Sequence, residues 1–235
     1  KLKEAGFPVP DFVVFTEQEL TTLDMVTILK RIDNELNADY YAVRSSANLE
    51  DGAVQSFAGI FQTELYVDVA HLPAAIQQVR DSKKTATVQA YLKQNNLNQD
   101  QLQLAIVVQE MVPAEVSGVA FGIDPAKPYR KSKLVSAVFG LGEGLVSGHL
   151  NADHFEMRDD IWQKTIVDKE QELIHQNGKL GYVEVAKEKQ NLATLSDEQL
   201  DELRQTLTQL EALYKAPQDV EFCYVHNQLF VLQSR

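Results

Sequence analysis

The sequence predicts an α+β fold, and three observations carry the prediction. Apolar residues recur at helical spacing in three stretches, 17–37, 71–94 and 196–215. Short β-rich runs lie between and around them. The chain closes on PQDVEFCYVHNQLFVLQSR, which reads as two alternating strands around His226 and Asn227 and therefore as an antiparallel pair.

In chain order, Phe7–Phe15 (FPVPDFVVF) reads as an extended entry with prolines at its edge, followed by a strand. Thr16 with Glu19 is a capping-box pattern. Leu20, Leu23, Val26, Ile28, Leu29, Ile32 and Leu36 then keep helical spacing over 17–37. Tyr40–Val43 and Phe61–Val67 are strand-like runs. The second helical region, 71–94, carries Leu72, Ala75, Ile76 and Val79, with Asp81, Lys83 and Lys84 read as a solvated face. Leu102–Val108 is apolar enough for a strand buried on both faces. Val116–Ile123 and Leu134–Phe139 are further strands, separated by the exposed basic loop KPYRKSK. Clusters around Ile161–Val167 and Tyr182–Val185 suggest hairpins, and 154–195 is otherwise the least informative part of the chain. Ser196 with Gln199 caps the third helix, whose leucines read as core packing.

Composition excludes several function classes. Hydrophobic residues at 44% and charged residues at 24% are ordinary for a globular chain. A net charge of −12 argues against a general nucleic-acid binder, whose affinity rests on Lys and Arg at phosphates. It leaves room for a nucleotide held by a few arginines and a divalent cation. Cys223 is the single cysteine, which rules out an intrachain disulfide and suits a reducing compartment. No apolar run approaches the ~18 residues of a membrane span, and no signal-peptide pattern opens the chain, so a cytoplasmic protein is expected.

Four segments carry residues suited to chemistry. In YYAVRSSANLEDGAVQSFAGIFQTELYV, Arg44 stands where a strand gives way to a polar loop. A guanidinium there can fork onto a phosphate, with Ser45, Ser46 and loop amides as further donors. Gly59 would let backbone approach a ligand. The alternative is a surface hairpin with a solvated arginine. In QLQLAIVVQEMVPAEVSGVAFGIDP, a buried strand ends in a short link that could offer a free amide and carbonyl to an adenine edge, or could be a plain β-connection. GLGEGLVSG places four glycines in nine residues, a loop that must turn tightly or approach something.

The closing hairpin is the fourth. With a three-residue loop, His226–Gln228, Glu221 lies opposite Gln233 and Asp219 opposite Arg235, while a two-residue turn would separate Glu221 and Gln233. The three-residue loop gathers an acid, an amide and an arginine on one side and packs Phe222, Tyr224, Phe230 and Leu232 on the other. Carboxylate and amide oxygens suit Mg²⁺, and the arginine suits the phosphates that Mg²⁺ bridges. An amphipathic surface hairpin with a salt bridge is the competing reading.

The wording of these segments, AVRSSA with Glu50–Asp51, SFAG and Thr63, then QEMV, EVSGVAF, GLGE and PQDVEF with QSR, resembles the nucleotide-binding domain of phosphoenolpyruvate synthase and pyruvate phosphate dikinase. Rifamycin phosphotransferases carry the same domain. The resemblance covers nearly the whole chain. It implies an ATP-grasp-like α+β fold of two lobes, approximately 1–110 and 111–235, built on antiparallel sheets with flanking helices. It implies ATP contacts at Arg44, Gly59, Thr63, Gln109, Glu110, Met111, Val112, Glu221, Gln233 and Arg235. Within that set, Arg44 and Arg235 would be catalytic, and Glu221 and Gln233 would hold Mg²⁺. Asp153 matches an aspartate of the family, and Glu143 would face the ribose.

The implied activity is ATP-dependent phosphorylation of a histidine on a separate swivelling domain, with release of AMP and onward transfer to pyruvate. An antibiotic phosphotransferase and a non-catalytic nucleotide-binding module are the alternatives. None of His71, His149, His154, His175 and His226 sits in a setting expected of the carrier, so the phosphocarrier and acceptor-binding domains are expected outside this chain. Two departures stand out. The family's upstream Gly-Gly-Lys lies ahead of Lys1, so this chain is expected to be a piece of a longer enzyme. Gly122 replaces the usual Thr or Ser.

Overall fold

The structure, a computed structural model, describes residues 1–48, 51–52, 55–56, 61–95, 97–98, 101–130 and 132–235. It divides into two compact units, Pro10–Met111 and Lys1–Val9 together with Val112–Arg235. The first nine residues thus pack with the second half of the chain, not with the first 110 residues. The reason is apolar: Leu2, Phe7 and Val9 pack against the core of the second unit, and Val231 N donates to Pro8 O at 2.8 Å.

The first unit contains β1 (Phe12–Phe15), α1 (Glu17–Thr22), α2 (Met25–Glu35), β2 (Tyr41–Ala47), β3 (Asp51–Gly52), β4 (Gln55–Ser56), β5 (Thr63–Val67), α3 (Leu72–Asp81), α4 (Ala86–Gln94) and β6 (Leu104–Glu110). Its main sheet is antiparallel, in the order β1-β6-β2-β5. The stretch 17–37 is two helices rather than one. Asp24 ends the periodic run by accepting from Thr27 N at 2.8 Å and starting α2 afresh. Thr85 does the same between α3 and α4, accepting from Val88 N at 3.4 Å. Lys83 is not part of a solvated face. It pairs with Glu17, whose other oxygen accepts from Leu104 N at 3.0 Å.

Val13, Phe15, Val43, Ile106 and Val108 from the sheet meet Leu20, Ile28, Ile32, Leu72, Ile76 and Val79 from the helices. Each such side chain contributes about 1.5–3 kcal/mol on full burial. From Leu104 to Val108 the β6 strand is buried fully on this helix face only. Leu104, Ile106 and Val108 are inaccessible, whereas Ala105 and Val107 on the opposite face are half-buried.

The second unit adds β7 (Val116–Phe121), β8 (Lys133–Phe139), α5 (Glu143–Val146), β9 (Asp153–Arg158), β10 (Ile161–Thr165), β11 (Gln171–Gln176), β12 (Lys179–Glu184), α6 (Asp197–Tyr214), β13 (Asp219–Val225) and β14 (Gln228–Ser234). Six strands form one antiparallel sheet, β10-β9-β8-β7-β13-β14, and β11–β12 form a separate hairpin. Leu200, Leu203, Leu207 and Leu210 of α6 pack against Ala120, Val135, Ala137, Phe155, Val220 and Phe222. Tyr224 locks the hairpin to that helix, its Oη donating to Glu202 Oε2 at 2.9 Å and Gln199 O at 3.1 Å. Among the described residues no helix is long and apolar enough to cross a membrane.

At the centre of the sheet, Gly118 has no room for a side chain. A Cβ there would lie 2.2 Å from Ser136 O and 2.8 Å from the Phe222 ring. Gly118→Ala is therefore expected to destabilise the chain by about 3 kcal/mol, the upper end of overpacking costs. Urea unfolding measures this, and an unchanged midpoint would show that the central strands can spread.

Candidate functional site

Register decides which of the nominated side chains stand together. In the first unit Arg44 lies opposite Val107 on one side and Thr63 on the other, and Ala42 lies opposite Gln109. Because directly opposed residues share a face, Arg44, Thr63 and Gln109 all stand on the sheet face opposite the helix core. Gln109 is buried, Arg44 half-buried and Thr63 exposed. A β-bulge makes this grouping possible. The register of β2 against β5 shifts between Tyr41 and Val43, with Tyr66 at φ 55°. Val67 can then enter the helix-face core while Thr63 points to the other face. Gly59 lies outside the described residues.

Strand pairing takes up part of the hinge backbone. The amides of Glu110 and Met111 are already donated, to Asp11 O and Tyr40 O at 2.9 Å each. The Glu110 carboxylate accepts from Asn37 N at 2.8 Å, tying the exit of α2 to β6. Those two N–H groups are therefore not open to a ligand. The physical cause is strand pairing, which runs through Glu110 and so past the expected end at Val108.

In the second unit the closing hairpin brings Glu221 opposite Gln233, and Asp219 exchanges both backbone hydrogen bonds with Arg235, at 2.7 and 2.8 Å. The grouping is as expected from sequence, but the mechanism differs. The turn has two residues, with Val225 opposite Gln228. Both turn residues take positive φ, His226 at 47° and Asn227 at 61°, as a type I′ turn demands. The extra residue is Leu232, inserted as a bulge where the register shifts between Glu221 and Phe222. Consequently Leu229 and Val231 fill the core beside Phe222 and Tyr224, while Phe230 and Leu232 are only half-buried.

Electrostatics on this face are mixed in sign. In the orientation that satisfies both partners, the Gln233 amide oxygen accepts from Arg235 Nε at 2.8 Å and Nη2 at 2.7 Å. Asp219 stands beside them. The residue as a whole is exposed, yet its carboxyl is crowded enough that desolvation holds it above the usual range, with the Arg235 charge opposing. Sequence reasoning placed Asp219 on this face but assigned it no ligand. The pair of hard oxygens, Glu221 and Gln233, fits Mg²⁺, which is typically held by one or two protein ligands plus phosphates and waters. Among the described residues no group of three or more His, Cys, Asp or Glu is arranged to hold a metal by itself.

The glycine-rich turn borders the same face. Cys223 and Ser117 are cross-strand neighbours two residues along from Glu221, and a Cβ on Gly142 would lie 3.4 Å from Ser117 Cβ. Gly140 takes φ 73°, and a side chain there would meet Leu173 O at 2.4 Å. Behind the turn lies a buried ion pair, Asp153 with Lys169, at 2.8 Å. Sequence reading missed Lys169, because a lone lysine in the polar run DKEQE carries no burial signal. Gly122 has its own explanation. Its amide donates to Gln218 O at 2.8 Å, and a Cβ would meet Gln218 N and O at 3.0 and 3.1 Å.

Comparisons with known proteins agree with the wording of the segments. A family model described as the pyruvate phosphate dikinase AMP/ATP-binding domain matches residues 4–235. Rifampicin phosphotransferase of Bacillus cereus is 36% identical over 200 residues, covering 83% of this chain and 23% of that protein. A probable phosphoenolpyruvate synthase of Archaeoglobus fulgidus is 35% identical over 212 residues, covering 88% of this chain and 28% of that protein. The chain thus spans between 23% and 28% of these relatives. D-Alanine-D-alanine ligase from Helicobacter pylori aligns with 100% of this chain and 50% of its own at TM-score 0.46 and 10% identity.

The tight backbone approach at Gly122 yields a direct test. Gly122→Thr should destabilise the domain by roughly 1–3 kcal/mol, because Gln218 must retreat by a few tenths of an ångström. Thermal unfolding of both proteins measures it. An unaltered melting curve would mean that the 217–218 backbone yields freely.

Proposed function

Because the chain belongs to the pyruvate phosphate dikinase AMP/ATP-binding domain family, we propose that it is the nucleotide-binding domain of a phosphoenolpyruvate-synthase-like phosphotransferase. In this reading it holds Mg-ATP in an ATP-grasp-like manner and phosphorylates a histidine on a separate swivelling domain, for transfer to pyruvate. ATP and water or phosphate are consumed and AMP is released, so the two acceptors make it a dikinase. The observation that carries the reading is the placing of Glu221 opposite Gln233, with Asp219 and Arg235 alongside on one sheet face.

Phosphoryl transfer asks little covalent chemistry of a protein; it asks for positioning and for neutralisation of charge spread over phosphate oxygens. Arg235 and Arg44 supply guanidinium groups for that purpose, Arg235 just past β14 and hydrogen-bonded to Gln233, Arg44 on β2 opposite Thr63. Gln109 and the hinge 109–112 hold the nucleotide base, by carbonyls and the Val112 amide. Glu221 and the Gln233 amide oxygen would hold Mg²⁺, which would supply positive charge against the phosphate oxygens. For that, Gln233 must release Arg235, freeing its guanidinium for phosphate at the same moment. By the resemblance, Glu143, in the first turn of α5, would face the ribose.

A second reading differs only in the acceptor. Rifampicin phosphotransferase is as similar to this chain as the probable phosphoenolpyruvate synthase, 36% against 35%. An acceptor-dependent AMP-release assay on the complete protein, with pyruvate and with a rifamycin, separates the two.

Two variants test the nucleotide site itself. Arg44→Ala should weaken Mg-ATP binding at least tenfold while ligand-free stability shifts by no more than ~1 kcal/mol, as for a partly solvated charge. A large loss of ligand-free stability would make Arg44 structural instead. Glu221→Gln preserves shape and removes charge, so the ligand-free variant should be unchanged or slightly more stable. Parent protein at a hundredfold excess of Mg-ATP over Kd should gain about 2.7 kcal/mol, and the variant far less. Melting curves with and without Mg-ATP measure this, and an undiminished shift in Glu221→Gln removes Glu221 from the metal site.

A further inference from the structure

Among the described residues of the second unit, Asp153–Lys169 is the salt bridge whose two side chains are both buried. Both side chains are withdrawn from water, at 0% and 1% exposure. Asp153 is fully committed. Its Oδ1 accepts from Lys169 Nζ at 2.8 Å and Val167 N at 3.0 Å, and its Oδ2 accepts from Thr194 N at 2.8 Å. Lys169 Nζ also donates to Val167 O at 2.7 Å and sits 5.6 Å from the Phe139 ring centroid. Its amide donates to Gln190 O at 3.0 Å. One ion pair therefore joins the start of β9, the approach to β11 and the segment before α6.

Those partners converge on the glycine-rich turn. Phe139 is the residue immediately before Gly140. The β11 strand, which begins two residues after Lys169, presents Leu173 O to Leu141 N at 2.8 Å and lies against Gly140. On the other side, Leu150 precedes Asp153 by three residues and occupies the space a Gly144 side chain would need, 2.4 Å from its Cβ position. Leu150 N and His149 N both donate to Gly144 O, at 3.0 and 3.1 Å. The turn 140–150 is thus gripped at both ends by chain that the ion pair holds.

We propose that Asp153 and Lys169 are positioning residues whose task is to fix the Gly140–Gly148 turn against the sheet face bearing Glu221 and Gln233. An apolar pair of similar volume could fill the same space, since a buried ion pair adds little net stability over such a pair. What an apolar pair could not do is bind two backbone amides and a carbonyl in fixed directions. This extends the nucleotide-site reading but does not depend on it for its structural half.

The test replaces the pair by Asp153→Leu with Lys169→Met, and, should that protein not fold, by the neutral polar pair Asp153→Asn with Lys169→Gln. Hydrogen exchange is followed by mass spectrometry on a peptide covering 140–150 and on a control peptide covering 203–214 of α6. The expected result is exchange at least tenfold faster in 140–150 with the control unchanged, together with Mg-ATP affinity at least tenfold weaker. Equal exchange in parent and variant would overturn the proposal, as would equal acceleration in both peptides, which makes the pair a general stabiliser. Failure of both variants to fold would overturn it for the same reason. If the parent shows no Mg-ATP binding, the nucleotide reading fails, while the exchange comparison still decides the role of the pair.

Discussion

Both units depend on the alternation of side chains along antiparallel strands. Residues directly opposite share a face, and a slip of one position sends every side chain to the wrong one. Among the described residues, the larger sheet of each unit meets this constraint with a bulge. In the first unit the register shift between β2 and β5, at Tyr66, lets Val67 join the helix-face core while Thr63 stands beside Arg44 on the opposite face. In the second, the bulge at Leu232 keeps Val231 in the core and Gln233 out of it. Without that bulge the two-residue turn would set Gln233 opposite Val220, in the apolar layer under α6. Bulges of this kind re-aim side chains next to functional sites, and here both do so where charged or polar residues have to meet.

The core side of each sheet is ordinary in its energetics, and this gives the opposite face its freedom. Helices α1–α4 cover one side of the first sheet, and α6 covers one side of the second. Burial on those sides supplies the stabilisation, so the other sides can carry arginines, acids and amides whose contribution to folding is small. Close backbone packing narrows the choice of residues further. Gly118 is confined by Ser136 O and Phe222, Gly140 by Leu173 O and Gly122 by Gln218. The Asp153–Lys169 pair belongs to the same logic. Removing one partner of such a pair generally costs 3–5 kcal/mol, although exchanging both for apolar groups can be nearly neutral. Its distinctive product is direction, through fixed bonds to Val167 and Thr194.

The α+β class, the three helical regions, the strand runs and the closing hairpin were legible in the sequence because local periodicity reports burial. The helix breaks were legible in principle. Asp24 and Thr85 are ordinary N-cap residues, but each lies inside a periodic stretch whose apolar pattern continues across it. At the hinge the strand's apolar run ends at Val108, whereas pairing with Tyr41 and Tyr40 O continues through Glu110 and Met111.

By itself, the sequence determined which residue types were available for phosphate and metal, and a facing of Glu221 and Gln233 that held only for a three-residue loop. Those follow from short-range order, where spacing translates directly into direction. Tertiary structure alone decided how that facing arises, through a two-residue turn and a bulge rather than a longer loop. It alone brought Thr63 and Gln109 to the face of Arg44, joined Lys1–Val9 to the second unit and buried Lys169 against Asp153. These contacts link residues far apart in the chain. No local pattern encodes them, because they depend on which strand becomes the neighbour of which and on how much room the packed backbone leaves.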